Sequence, residues 1–134
     1  MVQIEGKYQH EKNENLDAYF RAVGVPYIGR KMMQMSSPLL EVNCEDGKWT
    51  FKTITMLRTH EVSFILGEEY NEVMPSGDAL KCKTIKDGDS LVTETETPSG
   101  SKVTRTYTFS EDGVLLTMVH EESGEIAKRH FKRM

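Results

Sequence analysis

The spacing of apolar residues along the chain changes near Pro38. Before this proline, apolar residues recur at helical spacing and predict a helix with a single apolar face: Leu16, Tyr19, Phe20 and Val23. Asn15 is placed to cap this helix, with Asp17 in its first turn, and Gly24 is placed to end it.

A second helix is predicted to begin at Pro26, because the missing N–H of a proline does no harm in a first helical turn. It runs through Ile28 and a methionine cluster, and it ends before Pro38: Met32, Met33 and Met35. These methionines either fill the core or form an adaptable surface for variable apolar chains. The two helices occupy about residues 15–36.

After Pro38 the pattern alternates with a period of two, which is typical of strands. The turn signals lie 8–12 residues apart for most of this region: Asp46-Gly47, Ser76-Gly77, Asp87-Gly88, Pro98-Ser99-Gly100, Asp112-Gly113 and Ser123-Gly124. About ten strands result, and closing such a sheet removes its exposed edges. We therefore predict an all-β fold in one domain, residues 1–134: a ten-stranded antiparallel up-and-down β-barrel with a helix-turn-helix lid.

The face of the strands that points inward is unusually polar. Leu91, Thr93 and Thr95 alternate with Glu94 and Glu96, which must face water, so both threonines point inward. The same alternation turns Arg129 inward between Ala127 and Phe131, and His10, His60 and Glu72 are also expected inside. Because buried polar groups need partners, this face suits a hydrated cavity, in which Glu72 would contact water.

Composition and motifs narrow the function. A net charge of −4 disfavours nucleic acid as a partner, and no apolar run is long enough to cross a membrane. The N-terminal residues lack the pattern of a secretory signal, so we expect a cytoplasmic, monomeric protein in which Cys44 and Cys82 are free thiols. No catalytic set, metal-ligand spacing or phosphate-binding loop is evident, so we expect neither an enzyme nor a cofactor.

Motifs along most of the chain resemble those of the intracellular fatty-acid-binding and cellular retinoid-binding proteins. They are Gly6-Lys7-Tyr8, Asn15-Leu16-Asp17-Ala18-Tyr19, Gly24-Val25, Arg30-Lys31, Pro38, the run 61–70 that begins Glu61-Val62-Ser63-Phe64, and Lys81-x-Lys83. The spacing of the whole set is specific, whereas any single motif is weak. The fold of this family is the lidded ten-stranded barrel that the pattern predicts independently.

The resemblance implies that the barrel carries a long-chain fatty acid, with a retinoid as the alternative ligand. In the family an Arg-x-Tyr pair of the last strand holds the carboxylate with a second internal arginine. Here that pair reads Arg129-His130-Phe131, so Arg129 is the expected anchor. The second contact is Arg105 or Tyr107, and we favour Tyr107 because that alignment places all extra residues in hairpin turns. The full expected lining is Arg129, Phe131, Tyr107, Arg105, Tyr19, Phe20, Val25, Met33, Leu57, His60, Thr95 and Met118.

Basic residues on the two predicted helices offer a possible second surface: Arg21, Arg30 and Lys31. They form either a solvated face or a patch for transient contact with anionic membranes while ligand is transferred.

Overall fold

Ten strands and two helices make up the computed structural model, which describes residues 2–56, 58–73, 79–97 and 100–134. The strands are β1 Gly6–Glu14, β2 Leu39–Glu45, β3 Lys48–Ile54, β4 Thr59–Ile65, β5 Glu69–Val73, β6 Ala79–Asp87, β7 Ser90–Glu96, β8 Lys102–Phe109, β9 Gly113–His120 and β10 Ile126–Arg133. The helices, α1 Leu16–Val23 and α2 Tyr27–Met35, lie between β1 and β2.

All ten strands belong to one antiparallel sheet in the order β4-β3-β2-β1-β10-β9-β8-β7-β6-β5. Because the first strand pairs with both the second and the last, the sheet curls into a nearly closed barrel. Its two edge strands, β4 and β5, share no ladder within the described residues. The predicted all-β barrel with two helices is confirmed.

The ends of the helices differ in detail from the sequence prediction. Asn15 precedes α1 in a left-handed conformation, φ 54°, and its side chain makes no cap hydrogen bond. The Asn15 amide instead donates to the Glu125 carboxylate and to the Ile126 carbonyl, which ties the start of α1 to β10. Gly24 ends α1 with φ 101°, as predicted, because glycine adopts this conformation without strain. Pro26 precedes α2 as its N-cap rather than lying in its first turn.

Strand alternation places the expected residues on the inner face. Leu91, Thr93 and Thr95 are all buried, and Thr93 bonds Thr84 of the neighbouring strand at 2.7 Å. Yet the inward side chains of His60 and Arg105 keep 27% and 20% of their surface exposed. Solvent therefore reaches both side chains, as it would not in a close-packed core.

A pair of charged hydrogen bonds bridges the barrel near the open edge between β4 and β5. Glu72 on β5 accepts from His60 Nε2 on β4 at 3.0 Å and from Arg105 on β8 at 2.8 Å. The Glu72 carboxylate is 94% buried in this position, its side chain retaining only 6% exposure. Two side chains therefore hold Glu72, and its contact with water stays a prediction.

Three sequence features lie outside the described residues: Leu57, the Ser76-Gly77 turn signal and Pro98-Ser99. The Asp46-Gly47 turn lies within them, and both of its residues adopt positive φ, as a tight hairpin requires. Within the described part of the chain, no helix has the length and apolar character needed to cross a membrane.

We predict that Glu72 makes the stability of the barrel depend on pH. Burial alone would raise the pKa of this carboxyl, but Arg105 and His60 outweigh it and lower the pKa from 4.5 to about 2. A carboxyl whose pKa is lower in the folded state stabilises the fold above its unfolded pKa and loses that contribution as the pH falls. The shift corresponds to roughly 3 kcal/mol.

Urea unfolding of the wild type and of Glu72→Gln across pH 2–7 measures this contribution. The difference in unfolding free energy should be constant above about pH 5 and should shrink as the pH falls from 4.5 towards 2. Glu94→Gln, which changes an exposed carboxylate on β7, is the matched control and should show a small difference throughout. A Glu72→Gln difference that does not change with pH would contradict the prediction.

Candidate functional site

Arg129 projects from the middle of β10 into the barrel. Its neighbours on the same face, Ala127 and Phe131, are buried, whereas Arg129 itself is only half-buried. Its guanidinium donates from Nε to Asn13 Oδ1 at 2.9 Å and from Nη2 to the Ser36 carbonyl at 3.4 Å. Both acceptors are uncharged, and no carboxylate of the described residues forms a salt bridge with this arginine.

The electrostatic surroundings of Arg129 match this geometry. Burial lowers the pKa of the guanidinium, and the only opposing influence is the nearby phenol of Tyr107. An arginine remains protonated at neutral pH in spite of such a shift. The result is a positive charge on the inner face that no acidic group of the described residues compensates.

Arg105 also points inward, but its charge is compensated. It donates to Glu72 at 2.8 Å and to Thr95 Oγ1 at 3.3 Å, and its guanidinium lies 3.9 Å from Cys82 Sγ. Burial lowers the pKa of Arg105, but the Glu72 carboxylate more than reverses this and the net shift is upward. Glu72 therefore fixes Arg105 as half of an ion pair.

Tyr107, rather than Arg105, lies in the same cross-strand row as Arg129. Leu116 on β9 pairs with Tyr107 on one side and with Arg129 on the other, whereas Arg105 pairs with Met118. Burial raises the pKa of Tyr107, and the charge of Arg105 only partly opposes this. The phenol therefore keeps its proton at neutral pH and can donate a hydrogen bond.

The first helix of the lid contributes Tyr19 to the same region. Tyr19 is buried, and burial raises the pKa of its phenol to about 12, with smaller influences from Arg105 and Tyr107. Its ring meets that of Phe20 edge-on at a centroid distance of 5.2 Å. Tyr19 thus brings a second neutral phenol from α1 towards the polar groups of β8.

The remaining residues of the expected lining have different surroundings. Thr95 and Met118 are both buried beside Arg105. Thr95 accepts a hydrogen bond from Arg105, and Met118 is the cross-strand partner of Arg105 on β9. Phe131 is buried and meets the ring of His10 edge-on at 5.5 Å. Val25 and Met33 are half-buried at the lid, and Leu57 lies outside the described residues.

Asn13 and Ser36 touch the candidate anchor, but the sequence pattern did not indicate either of them. Strict alternation from His10 along β1 points Lys12 inward and Asn13 outward. A β-bulge between His10 and Lys12 reverses this, and Asn13 then pairs directly with Arg129. Ser36 contributes only a backbone carbonyl, for which side-chain patterns carry no signal.

The described residues contain no group of three or more histidine, cysteine, aspartate or glutamate side chains suited to a metal ion. Cys44 and Cys82 are free thiols, as predicted. What the arrangement provides is a cation and two phenols on a partly apolar inner face, and this combination suits an anion that has a large apolar part.

Comparisons with known proteins agree with this geometry. A fatty acid-binding protein of Tyrophagus putrescentiae is 34% identical over 87 residues, 65% of this chain and 66% of that protein. One of Acarus siro is 34% identical over 64 residues, 48% of this chain and 100% of that sequence. The solved structure of a fatty acid-binding protein from Drosophila melanogaster brain superposes with a TM-score of 0.85 at 29% identity, covering 94% of this chain and 95% of that one.

The matched segment thus spans just under two thirds of the Tyrophagus protein and all of the Acarus sequence. No protein-family model matches the chain. The structural similarity over 94% of the chain, the identity to the Acarus siro protein and the shared lidded barrel together show that the chain belongs to the fatty-acid-binding protein family.

Proposed function

We propose that this protein binds one long-chain fatty acid inside the barrel, holds its carboxylate on Arg129 and carries it without transforming it. The observation that carries the proposal is the uncompensated positive charge of Arg129 on the inner face. A guanidinium offers a fork of donors that matches a carboxylate, and hydrogen bonds to charged groups are worth about 1.5–3 kcal/mol each. Tyr107, in the same row, can add a neutral donor.

The apolar part of the ligand would supply most of the affinity. At about 0.8 kcal/mol per buried CH₂, a sixteen-carbon chain provides on the order of 12 kcal/mol before ordering costs. A dissociation constant between roughly nanomolar and micromolar follows. The relatives are named for fatty-acid binding, which supports a carrier rather than an enzyme.

A retinoid is the second candidate ligand within the same fold. It is favoured by Phe131, which stands where the family's tyrosine would provide a hydroxyl. Without that hydroxyl the site has one polar donor fewer, which suits a bulkier and less polar ligand. Native mass spectrometry of the protein as purified would show which lipid co-purifies. Competition of a fluorescent fatty-acid probe by oleate, retinoic acid and retinol would then rank the two classes.

We also propose that the protein works as a cytoplasmic monomer, which the free thiols Cys44 and Cys82 support because such thiols persist in reducing compartments.

No residue of α2 is buried, and apolar side chains project from it: Tyr27, Ile28, Met32 and Met35. Lys31 lies 5.7 Å above the Tyr27 ring, whereas Arg21 and Arg30 are both engaged by Asp17. This helix is therefore the proposed site of transient membrane contact.

Replacing Arg129 by alanine should weaken binding of oleate much more than binding of oleyl alcohol. The expected loss for the acid is about 1.5–3 kcal/mol, because a charge-assisted contact is removed. Fluorescent-probe displacement measures both ligands. Lys132→Ala, an exposed lysine on the same strand, is the control for net charge and should leave both affinities unchanged. Equal losses for acid and alcohol in Arg129→Ala would show that this arginine is structural.

The second polar contact can be assigned with two further variants. Tyr107→Phe removes a neutral donor and should cost oleate about 0.5–1.5 kcal/mol, with little effect on the alcohol. The pair Arg105→Met with Glu72→Gln removes both charges of the ion pair and should preserve the preference for acid. If the double variant lost this preference while Tyr107→Phe kept full affinity, Arg105 rather than Tyr107 would be the second contact.

Membrane contact by α2 predicts that ligand transfer depends on its exposed side chains. Ile28→Ser and Lys31→Gln should each slow transfer of a fluorescent fatty acid to vesicles containing phosphatidylserine, because apolar insertion and charge attraction both weaken. Ile85→Ser, on an exposed apolar residue of β6, is the matched control. Transfer rates that are unchanged in both α2 variants and are the same for charged and neutral vesicles would contradict this contact.

A further inference from the structure

The two inward-facing arginines of the barrel have opposite kinds of partner. Arg105 is matched by a carboxylate, Glu72. Arg129 is matched by two neutral oxygens, the Asn13 amide oxygen and the Ser36 carbonyl. A neutral acceptor satisfies a guanidinium donor and fixes its orientation without cancelling its charge. Arg129 is therefore held in place yet remains available to an anion.

A local irregularity of β1 places Asn13 in this position. His10 pairs with Phe131, and Asn13 pairs with Arg129. The step from His10 to Asn13 is three residues along β1, whereas the matching step from Phe131 to Arg129 is two residues along β10. The extra residue allows both His10 and Asn13 to face inward. The side-chain oxygen of Asn13 consequently meets Arg129 Nε at 2.9 Å.

Arg129 fixes the orientation of the Asn13 amide, and the amide in turn fixes the tautomer of His10. Because the guanidinium of Arg129 can only donate, the Asn13 atom that faces it must be Oδ1. His10 Nε2 lies 2.6 Å from the same oxygen and must therefore donate as well, which leaves its lone pair on Nδ1. His10 is 8% exposed, and its Nδ1 has no hydrogen-bond partner within the described residues. Burial lowers the pKa of this imidazole, and the charge of Arg129 adds to that effect, so His10 is neutral.

We propose that Asn13 is a positioning and specificity-determining residue of the anion site: it orients Arg129 without neutralising it, so that the barrel prefers acids to neutral lipids of equal length. The inference rests on the proposed binding of a fatty-acid carboxylate by Arg129. It assigns to β1 a role that the last strand alone would not supply. A carboxylate at position 13 would form an ion pair with Arg129, as Glu72 does with Arg105, and the interior would lose its uncompensated positive charge.

The test compares Asn13→Asp with Asn13→Ala, using oleate and oleyl alcohol as matched ligands. Asn13→Asp should lower oleate affinity by about 10- to 100-fold, because Arg129 becomes half of an ion pair, and should leave oleyl alcohol within about twofold. Asn13→Ala keeps the free charge but loses the orienting acceptor, so oleate should weaken by only about 3- to 10-fold. A purely structural role would lower the affinity for both ligands together.

Lys12→Gln is the matched control for Asn13→Asp. It changes the charge by the same single unit at the adjacent, outward-facing position, and the oleate-to-alcohol ratio should not change. The inference is overturned if Asn13→Asp leaves this ratio at the wild-type value, or if Lys12→Gln lowers it equally. Arg129→Ala separates this inference from the proposed function. If Arg129→Ala abolishes the preference for acid and Asn13→Asp does not, Arg129 is the carboxylate anchor but Asn13 is not its positioning residue.

Discussion

Glu72 and Arg105 meet inside the barrel at 2.8 Å, and the cost of burying charge makes their contact the one on which the interior depends. Without the other, Glu72 would keep only its hydrogen bond with His60 and Arg105 only its contacts with Thr95 and Cys82, whereas the two together add no net charge. The pair also joins β5 to β8, and His60 extends it to β4 beside the open edge of the sheet. The inner face thereby gains a fixed polar framework, to which Arg129 adds one further positive charge.

The architecture follows from the sequence because its signals are local and repeated. Alternation with a period of two, interrupted by turn residues, specifies antiparallel strands, and the need to remove the edges of a ten-stranded sheet specifies closure. The positions of Arg129, Phe131 and Thr95 on the inner face follow from the same alternation. The row shared by Tyr107 and Arg129 could be anticipated only by choosing where the extra residues of the last hairpins lie. The strand register agrees with the alignment that favours Tyr107, because Leu116 pairs with both Tyr107 and Arg129. Binding by Tyr107 stays a prediction.

The remaining features of the site depend on information that a single sequence does not display. Alternation shows that Glu72 points inward but not that Arg105, 33 residues later, reaches it across the barrel. Asn15 has the residue type of a helix cap, yet competition from the Glu125 carboxylate and the Ile126 carbonyl draws its amide to β10. The bulge in β1 reverses which of Lys12 and Asn13 faces inward, and no glycine or proline marks it in the sequence. In each case the outcome depends on a contact between distant segments.

A hydrogen bond joins the end of the helical lid to Arg129. Arg129 Nη2 donates to the carbonyl of Ser36, the residue at which α2 ends. At 3.4 Å this is a long hydrogen bond, and a carboxylate is a stronger acceptor than a peptide carbonyl. Under the proposed function, a ligand carboxylate would compete with Ser36 for this donor, while Asn13 would keep Nε in place. Under the same proposal, that exchange would remove one hydrogen bond from the end of α2. The rest of α2 would stay tied to α1, because Arg30 and Gln34 both donate hydrogen bonds to Asp17.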